Sequence, residues 1–86
     1  MKFRKRPTVV EAMQFLDDTK DQVYNWAVGA EPTFRNDEPA LLVRTIHGDE
    51  AVVRLGDWVI REPGAVTFYY PCKPDIFDAS YDPVNE

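Results

Sequence analysis

Gly56-Asp57-Trp58-Val59-Ile60-Arg61-Glu62-Pro63-Gly64 runs into Tyr69-Tyr70-Pro71-Cys72-Lys73-Pro74-Asp75-Ile76-Phe77. Two turn signals, Gly56-Asp57 and Pro63-Gly64, bracket a short apolar strand at 58–61. A second strand follows at 66–70, with Val66, Phe68 and Tyr70 on one face. Pro71 ends its ladder. Pro74 suits the first position of a short helix, with Asp75 at the positive end. Gly56, Asp57, Trp58, Pro71, Cys72, Pro74 and Phe77 are therefore read as the structural signature of the chain.

Working outward, residues 40–46 and 51–55 read as two more strands, joined at His47-Gly48-Asp49-Glu50 with Gly48-Asp49 at the tip. Residues 30–39 hold Pro32, Pro39 and several charges, and read as a long loop. Residues 20–28 read as a helix. Asp17-Asp18-Thr19 supplies its N-cap, and Val23, Trp26 and Ala27 form one apolar stripe. Gly29 is placed to close it. Residues 8–16 read as the first strand, with Pro7 at its start. The last stretch, 78–84, reads as extended.

This pattern is β-α-β-β-β-β and then a turn. It predicts an α+β fold: a small curled antiparallel meander, or half-open barrel, of five to six strands with one helix packed across it. Residues 1–86 form a single domain, since a chain this short supports one core. Trp26, Trp58 and Phe77 are expected to share that core.

Composition narrows the function. The chain is 44% hydrophobic and 29% charged, as globular domains are. It has one cysteine, which excludes an intrachain disulfide and fits a reducing compartment. The basic start Met1-Lys2-Phe3-Arg4-Lys5-Arg6 is followed by no apolar segment of signal-peptide length, so a cytoplasmic protein is expected. No apolar run approaches a membrane span. The net charge is −5, with four of ten basic residues within positions 2–6. A basic tip on an acidic body disfavours nucleic acid as a partner.

Candidate chemistry is sparse. Arg44, Arg54, Arg61, Lys73 and the ring of Tyr69 are the weak binding candidates for a single-stranded nucleic acid or a nucleotide. Aromatics at alternating strand positions are more often core. Cys72-Lys73 before a helix start places a thiol near an ammonium and would favour a thiolate. A small buried residue is the simpler reading, because no base or orienting group is placed beside it. One Cys and one His exclude a structural zinc site. Asp75, Asp78 and Asp82 share a helical spacing but read as a solvated acidic face. No phosphate-binding glycine loop is present, and no cofactor, metal or catalytic residue is expected.

The opening Met1-Lys2-Phe3-Arg4-Lys5-Arg6-Pro7-Thr8-Val9-Val10-Glu11-Ala12-Met13-Gln14-Phe15 resembles the start of many small phage and prophage proteins. Gly56-Asp57-Trp58-Val59-Ile60, Tyr70-Pro71-Cys72-Lys73-Pro74-Asp75-Ile76-Phe77 and Tyr81-Asp82-Pro83-Val84 resemble their C-terminal signature. The chain is also similar to the group labelled for a Pro-Gly-Asp-Tyr-Gly motif. Gly56-Asp57 is kept from that motif, with Leu55, Trp58 and Val59 at its other positions. The resemblance implies a phage or prophage accessory protein made in a bacterial cytoplasm, and no reaction. The expectation is a non-enzymatic binding module that engages a host protein. Binding of single-stranded nucleic acid or a nucleotide is the alternative, and a thiol-dependent enzyme at Cys72 is a distant third.

Overall fold

The computed structural model describes residues 1–2, 9–62 and 67–83. In chain order it holds β1 (Glu11–Gln14), α1 (Lys20–Trp26), β2 (Glu31–Arg35), β3 (Glu38–Arg44), β4 (Glu50–Arg54), β5 (Trp58–Glu62), β6 (Phe68–Cys72) and α2 (Pro74–Ser80). The fold is α+β, with six strands in two antiparallel sheets and two short helices.

One sheet has the order β1-β5-β6 and the other β2-β3-β4. The single curled meander expected from the sequence is therefore corrected to two three-stranded sheets. The break falls between β4 and β5. The turn expected at Gly56-Asp57 falls at Leu55-Gly56, and it sends the chain from one sheet to the other instead of folding it back. Gly56 takes φ 94, a left-handed value that suits glycine. The Asp57 N–H donates to the Arg54 carbonyl at 2.9 Å, closing the turn. The Phe15 N–H donates to the Asp57 carbonyl at 2.8 Å, and the Gly56 N–H donates to the Phe15 carbonyl at 2.7 Å. The corner is thus tied to the end of β1, a partner more than forty residues away in sequence, and not to β4's own hairpin. The two sheets meet where β6 packs against β3 and β4, and they do not form a closed barrel.

The stretch 30–39, expected to be a loop, contains β2 and its hairpin to β3. Asn36 and Asp37 both have positive φ, 53 and 62, which is the backbone of a two-residue type I′ turn. Pro32 is tolerated because β2 is an edge strand. Counting pairs back from the turn, Pro32 opposite Leu41 falls where the ladder asks for no N–H. The β3–β4 turn is closed by the Thr45 N–H to the Asp49 carbonyl and the Gly48 N–H to the Thr45 carbonyl, both 3.0 Å. The Thr45 hydroxyl also donates to the Asp49 carboxylate. That bond, with Asp49's own N–H, holds the Asp49 carboxyl below its usual value, and His47 adds to the effect.

Thr19 stands at the α1 N-cap, yet its side chain does not cap the helix. The hydroxyl donates to the Gln14 carbonyl at 2.7 Å and accepts from the Leu16 N–H at 2.8 Å, fixing the turn between β1 and α1. The helix ends at Trp26, and Gly29, φ 85, serves the turn beyond it. Val23 and Ala27 from α1 join Phe15, Leu41, Val43, Val53, Val59 and Tyr69 in one core, with Met13 and Trp26 at its margin. Each large apolar side chain there stabilises the fold by about 1.5–3 kcal/mol.

Three further expectations change. The first strand is confined to Glu11–Gln14, although Phe15 and Met13 do face the core. Asp78 to Ser80 are helical, not extended. Trp58 and Phe77 stack on each other, whereas Trp26 packs on Tyr69 at the main core, so the three rings do not share one cluster. The expected Pro63-Gly64 turn and the ends of the 8–16 and 66–70 strands lie outside the described residues.

Asp57 is 7% exposed, and its carboxylate accepts from the Arg54 N–H at 3.0 Å. Asp57→Ala leaves that N–H without its acceptor and is expected to cost about 1–3 kcal/mol. Urea denaturation checks this; a loss below about 0.5 kcal/mol, typical of a neutral surface site, would show that the corner does not depend on the carboxylate.

Candidate binding face

Paired residues of antiparallel strands share a face, so the register sorts the β1-β5-β6 sheet into two sides. Val59 pairs with Met13 and Pro71, and Arg61 pairs with Tyr69. This is the side on the main core. Trp58 pairs with Gln14 and Cys72, and Ile60 with Ala12 and Tyr70. These residues form the reverse side, which carries apolar and aromatic groups of its own.

Helix α2 lies at one end of that reverse side. Pro74 starts it, as the missing N–H and fixed φ of proline allow. Phe77 stacks on Trp58 with centroids 4.1 Å apart and planes 5° from parallel. Tyr81, four residues on, stacks on Phe77 at 5.0 Å and 21°. Each such pair contributes about 0.5–1.5 kcal/mol beyond the area it buries. The three rings form a row from the sheet outward. Its inner members are half-buried, while Tyr81 is 36% exposed and Ile76, which precedes Phe77 in α2, is 55% exposed. Asp75, Asp78 and Asp82 are all exposed along the same segment.

The candidate binding residues read from the sequence do not converge. Arg44 and Arg54 are on neighbouring strands but at opposite ends of the ladder, opposite Glu50 and Ala40. Four residue steps put them about 13 Å apart along the strands. Arg61 reaches the Glu11 carboxylate at 3.4 Å on the core side of its sheet. Lys73 points to Asp57, Nζ to Oδ1 4.0 Å. Each pair has one largely exposed member, Glu11 in the first and Lys73 in the second, so these ion pairs contribute little to stability. Tyr69 is 4% exposed; its hydroxyl donates to the Trp26 carbonyl at 3.1 Å, and its ring meets the Trp26 ring edge-on at 5.4 Å. Tyr69 is a core residue here. A cleft of about 330 Å³ lies between the end of α1, β3 and β6, and Arg44 is the one charged group among its described lining.

Of the signature residues, Gly56 and Asp57 make the corner, Trp58 and Phe77 make the stack, and Pro71 pairs with Val59 in β6. Cys72 is half-buried beside Trp58, on the reverse side and not in the main core. Its thiol is pushed above its usual value, first by burial and then by the Asp57 and Asp75 carboxylates. The Lys73 ammonium is directed to Asp57, and the thiol's polar contact is the Lys73 carbonyl at 3.7 Å. His47 belongs to the β3–β4 turn of the other sheet. Among the described residues no three His, Cys, Asp or Glu side chains gather to hold a metal ion. Among them, too, no helix is long and apolar enough to cross a membrane.

Ile76 and Tyr81 were not among the binding candidates read from the sequence. Their signal was the spacing of Phe77 and Tyr81, one helical turn apart, with Ile76 adjoining. Comparison with known proteins finds no matching family model, curated protein or solved structure.

The raised thiol value has a measurable consequence. At neutral pH Cys72 should react with a thiol reagent more slowly in the native protein than in denaturant, and its native rate should climb only at pH above the ordinary thiol range. Faster native modification would overturn this and make Cys72 a nucleophile.

Proposed function

We propose that this chain is a non-enzymatic binding module, a phage or prophage accessory protein that engages a host protein in the bacterial cytoplasm. The observation that carries this reading is the aromatic row of Trp58, Phe77 and Tyr81, with Ile76 open to solvent on the same short helix. Exposed aromatic and aliphatic groups held on a fixed scaffold are what anchor protein interfaces. The row is held by stacking on a strand, so little ordering is required when a partner arrives.

Two further observations support this reading over a thiol enzyme or a nucleic-acid binder. Burial and then the Asp57 and Asp75 carboxylates push the Cys72 thiol up, which disfavours the thiolate a nucleophile needs. The cations that a nucleic-acid groove would use are dispersed over both sheets, and two of them face carboxylates. A phosphate approaching the aromatic row would meet Asp75, Asp78 and Asp82.

A photoreactive phenylalanine analogue tests the reading when placed at position 76, and separately at Tyr24 on the outward side of α1. In bacterial cells making the chain, irradiation should give a protein adduct from position 76 and not from position 24. The partner so identified, once purified, should bind the wild-type chain and lose at least about tenfold in affinity against the Ile76→Asp/Tyr81→Ala variant, as expected when interface anchors are removed. Ile76 is exposed, so Ile76→Asp alone should leave the thermal melt close to wild type, whereas Tyr81→Ala also removes the stack on Phe77 and should lower it by about 4–8 °C without unfolding the domain. Adducts from position 24 alone, or an affinity indifferent to the double variant, would overturn the assignment.

A further inference from the structure

The partner's chemistry can be read from the charge around the aromatic row, on the premise that this row is the contact face. Segment 73–83 carries one cation, Lys73, and three acids, Asp75, Asp78 and Asp82. That cation already has a carboxylate partner, since its ammonium lies 4.0 Å from the buried Asp57. Arg61 is on the other side of the sheet and reaches Glu11. The acids have no such engagement: among the described residues, none of the three takes part in an ion pair or a side-chain hydrogen bond. Asp75 is close enough to Cys72 to raise its thiol, which places this carboxylate at the Trp58 end of the row. Asp78 and Asp82 follow Phe77 and Tyr81 in the chain, and both are exposed.

We infer that the row receives a basic segment of a partner protein, with arginine or lysine side chains laid against the Trp58–Phe77–Tyr81 stack and reaching Asp75, Asp78 and Asp82. Aromatic faces attract cations through the ring quadrupole, and arginine stacks on them while its N–H groups bond to carboxylates. Tyr81 ends the row, and its ring is the one most open to solvent. The same charges repel nucleic acid and acidic segments, so they set specificity and encounter rate as well as attraction.

Fluorescence anisotropy with a labelled Arg-Leu-Arg-Gly-Arg-Leu peptide tests the inference. The probes for comparison are the same peptide with glutamate for arginine and a single-stranded oligothymidylate. The arginine peptide should bind saturably, and binding should weaken as salt rises from about 0.05 M to about 0.3 M. The Asp75→Asn/Asp78→Asn/Asp82→Asn variant should weaken it by at least about fivefold, and Tyr81→Ala should weaken it as well. A control variant with three exposed acids removed from the β2–β3 hairpin, Glu31→Gln/Asp37→Asn/Glu38→Gln, should change it by less than about twofold, because screening confines these charges to their surroundings. Equal losses in the two triple variants would show attraction to net charge alone and overturn the inference. Preference for the glutamate peptide or the oligonucleotide would overturn it too. If position 76 crosslinks a protein partner while the arginine peptide does not bind, the module stands and its basic partner does not.

Discussion

The corner at Leu55-Gly56-Asp57 decides how this chain is built. Two backbone bonds join it to Phe15, from the Phe15 N–H to the Asp57 carbonyl and from the Gly56 N–H to the Phe15 carbonyl. The Gln14 side-chain amide donates to the Gly56 carbonyl at 3.0 Å, and the Asp57 carboxylate closes the turn from within. Without these bonds, the turn chemistry would serve equally well for a hairpin of β4 with β5. With them, β5 leaves β4 and pairs with β1, and Phe15 is set into the core beside Val53 and Val59. Every one of these groups is a backbone amide, a carbonyl or a short polar side chain that would otherwise be buried without a partner, which is why the corner is costly to alter.

The aromatic row follows from the same corner. Trp58 is the first residue after it, and the register set by Gln14 opposite Trp58 fixes which way the indole faces. A shift of one residue would send Trp58 to the core side and Val59 outward. Helix α2 then has a platform to stack on, and a seven-residue helix needs one, since helices this short are not stable alone. Charge is sorted by the same geometry. Lys73 turns back toward Asp57, while Asp75, Asp78 and Asp82 are exposed in the same segment as Ile76 and Tyr81.

Much of this was legible in the sequence, and the parts that were not have physical causes. The apolar stripe of Val23 and Ala27, a connection in the His47-Gly48-Asp49-Glu50 stretch, the strands on either side of it and the start of α2 at Pro74 rest on local chemistry, which sequence displays directly. The hairpin at Asn36-Asp37 was missed because prolines and charges made residues 30–39 look like a loop. Edge strands carry such residues to block unwanted pairing, and Asn-Asp was a type I′ signal in its own right. The two-sheet arrangement was hidden because the turn at Gly56 looks the same whether the strands it joins pair or part. Only the bonds to Phe15 distinguish the two, and no local pattern encodes them. Trp58, Val59 and Ile60 are all apolar, so alternation alone could not tell the core side from the reverse side. The scattered arginines show the converse: closeness along two adjacent strands did not bring Arg44 and Arg54 together, because antiparallel register put them at opposite ends.

If the corner holds the two sheets in their relation, its amides should open only when the whole domain unfolds. Native-state hydrogen exchange of the Phe15, Gly56, Asp57 and Arg54 N–H groups measures this directly. The account predicts that these amides exchange as slowly as those of Val53 and Val59 in the core, and that all of them share one opening free energy equal to that of global unfolding. Exchange of the corner amides at markedly lower free energy, with Val53 and Val59 still protected, would show that the sheets hold together without the corner and would contradict its central place.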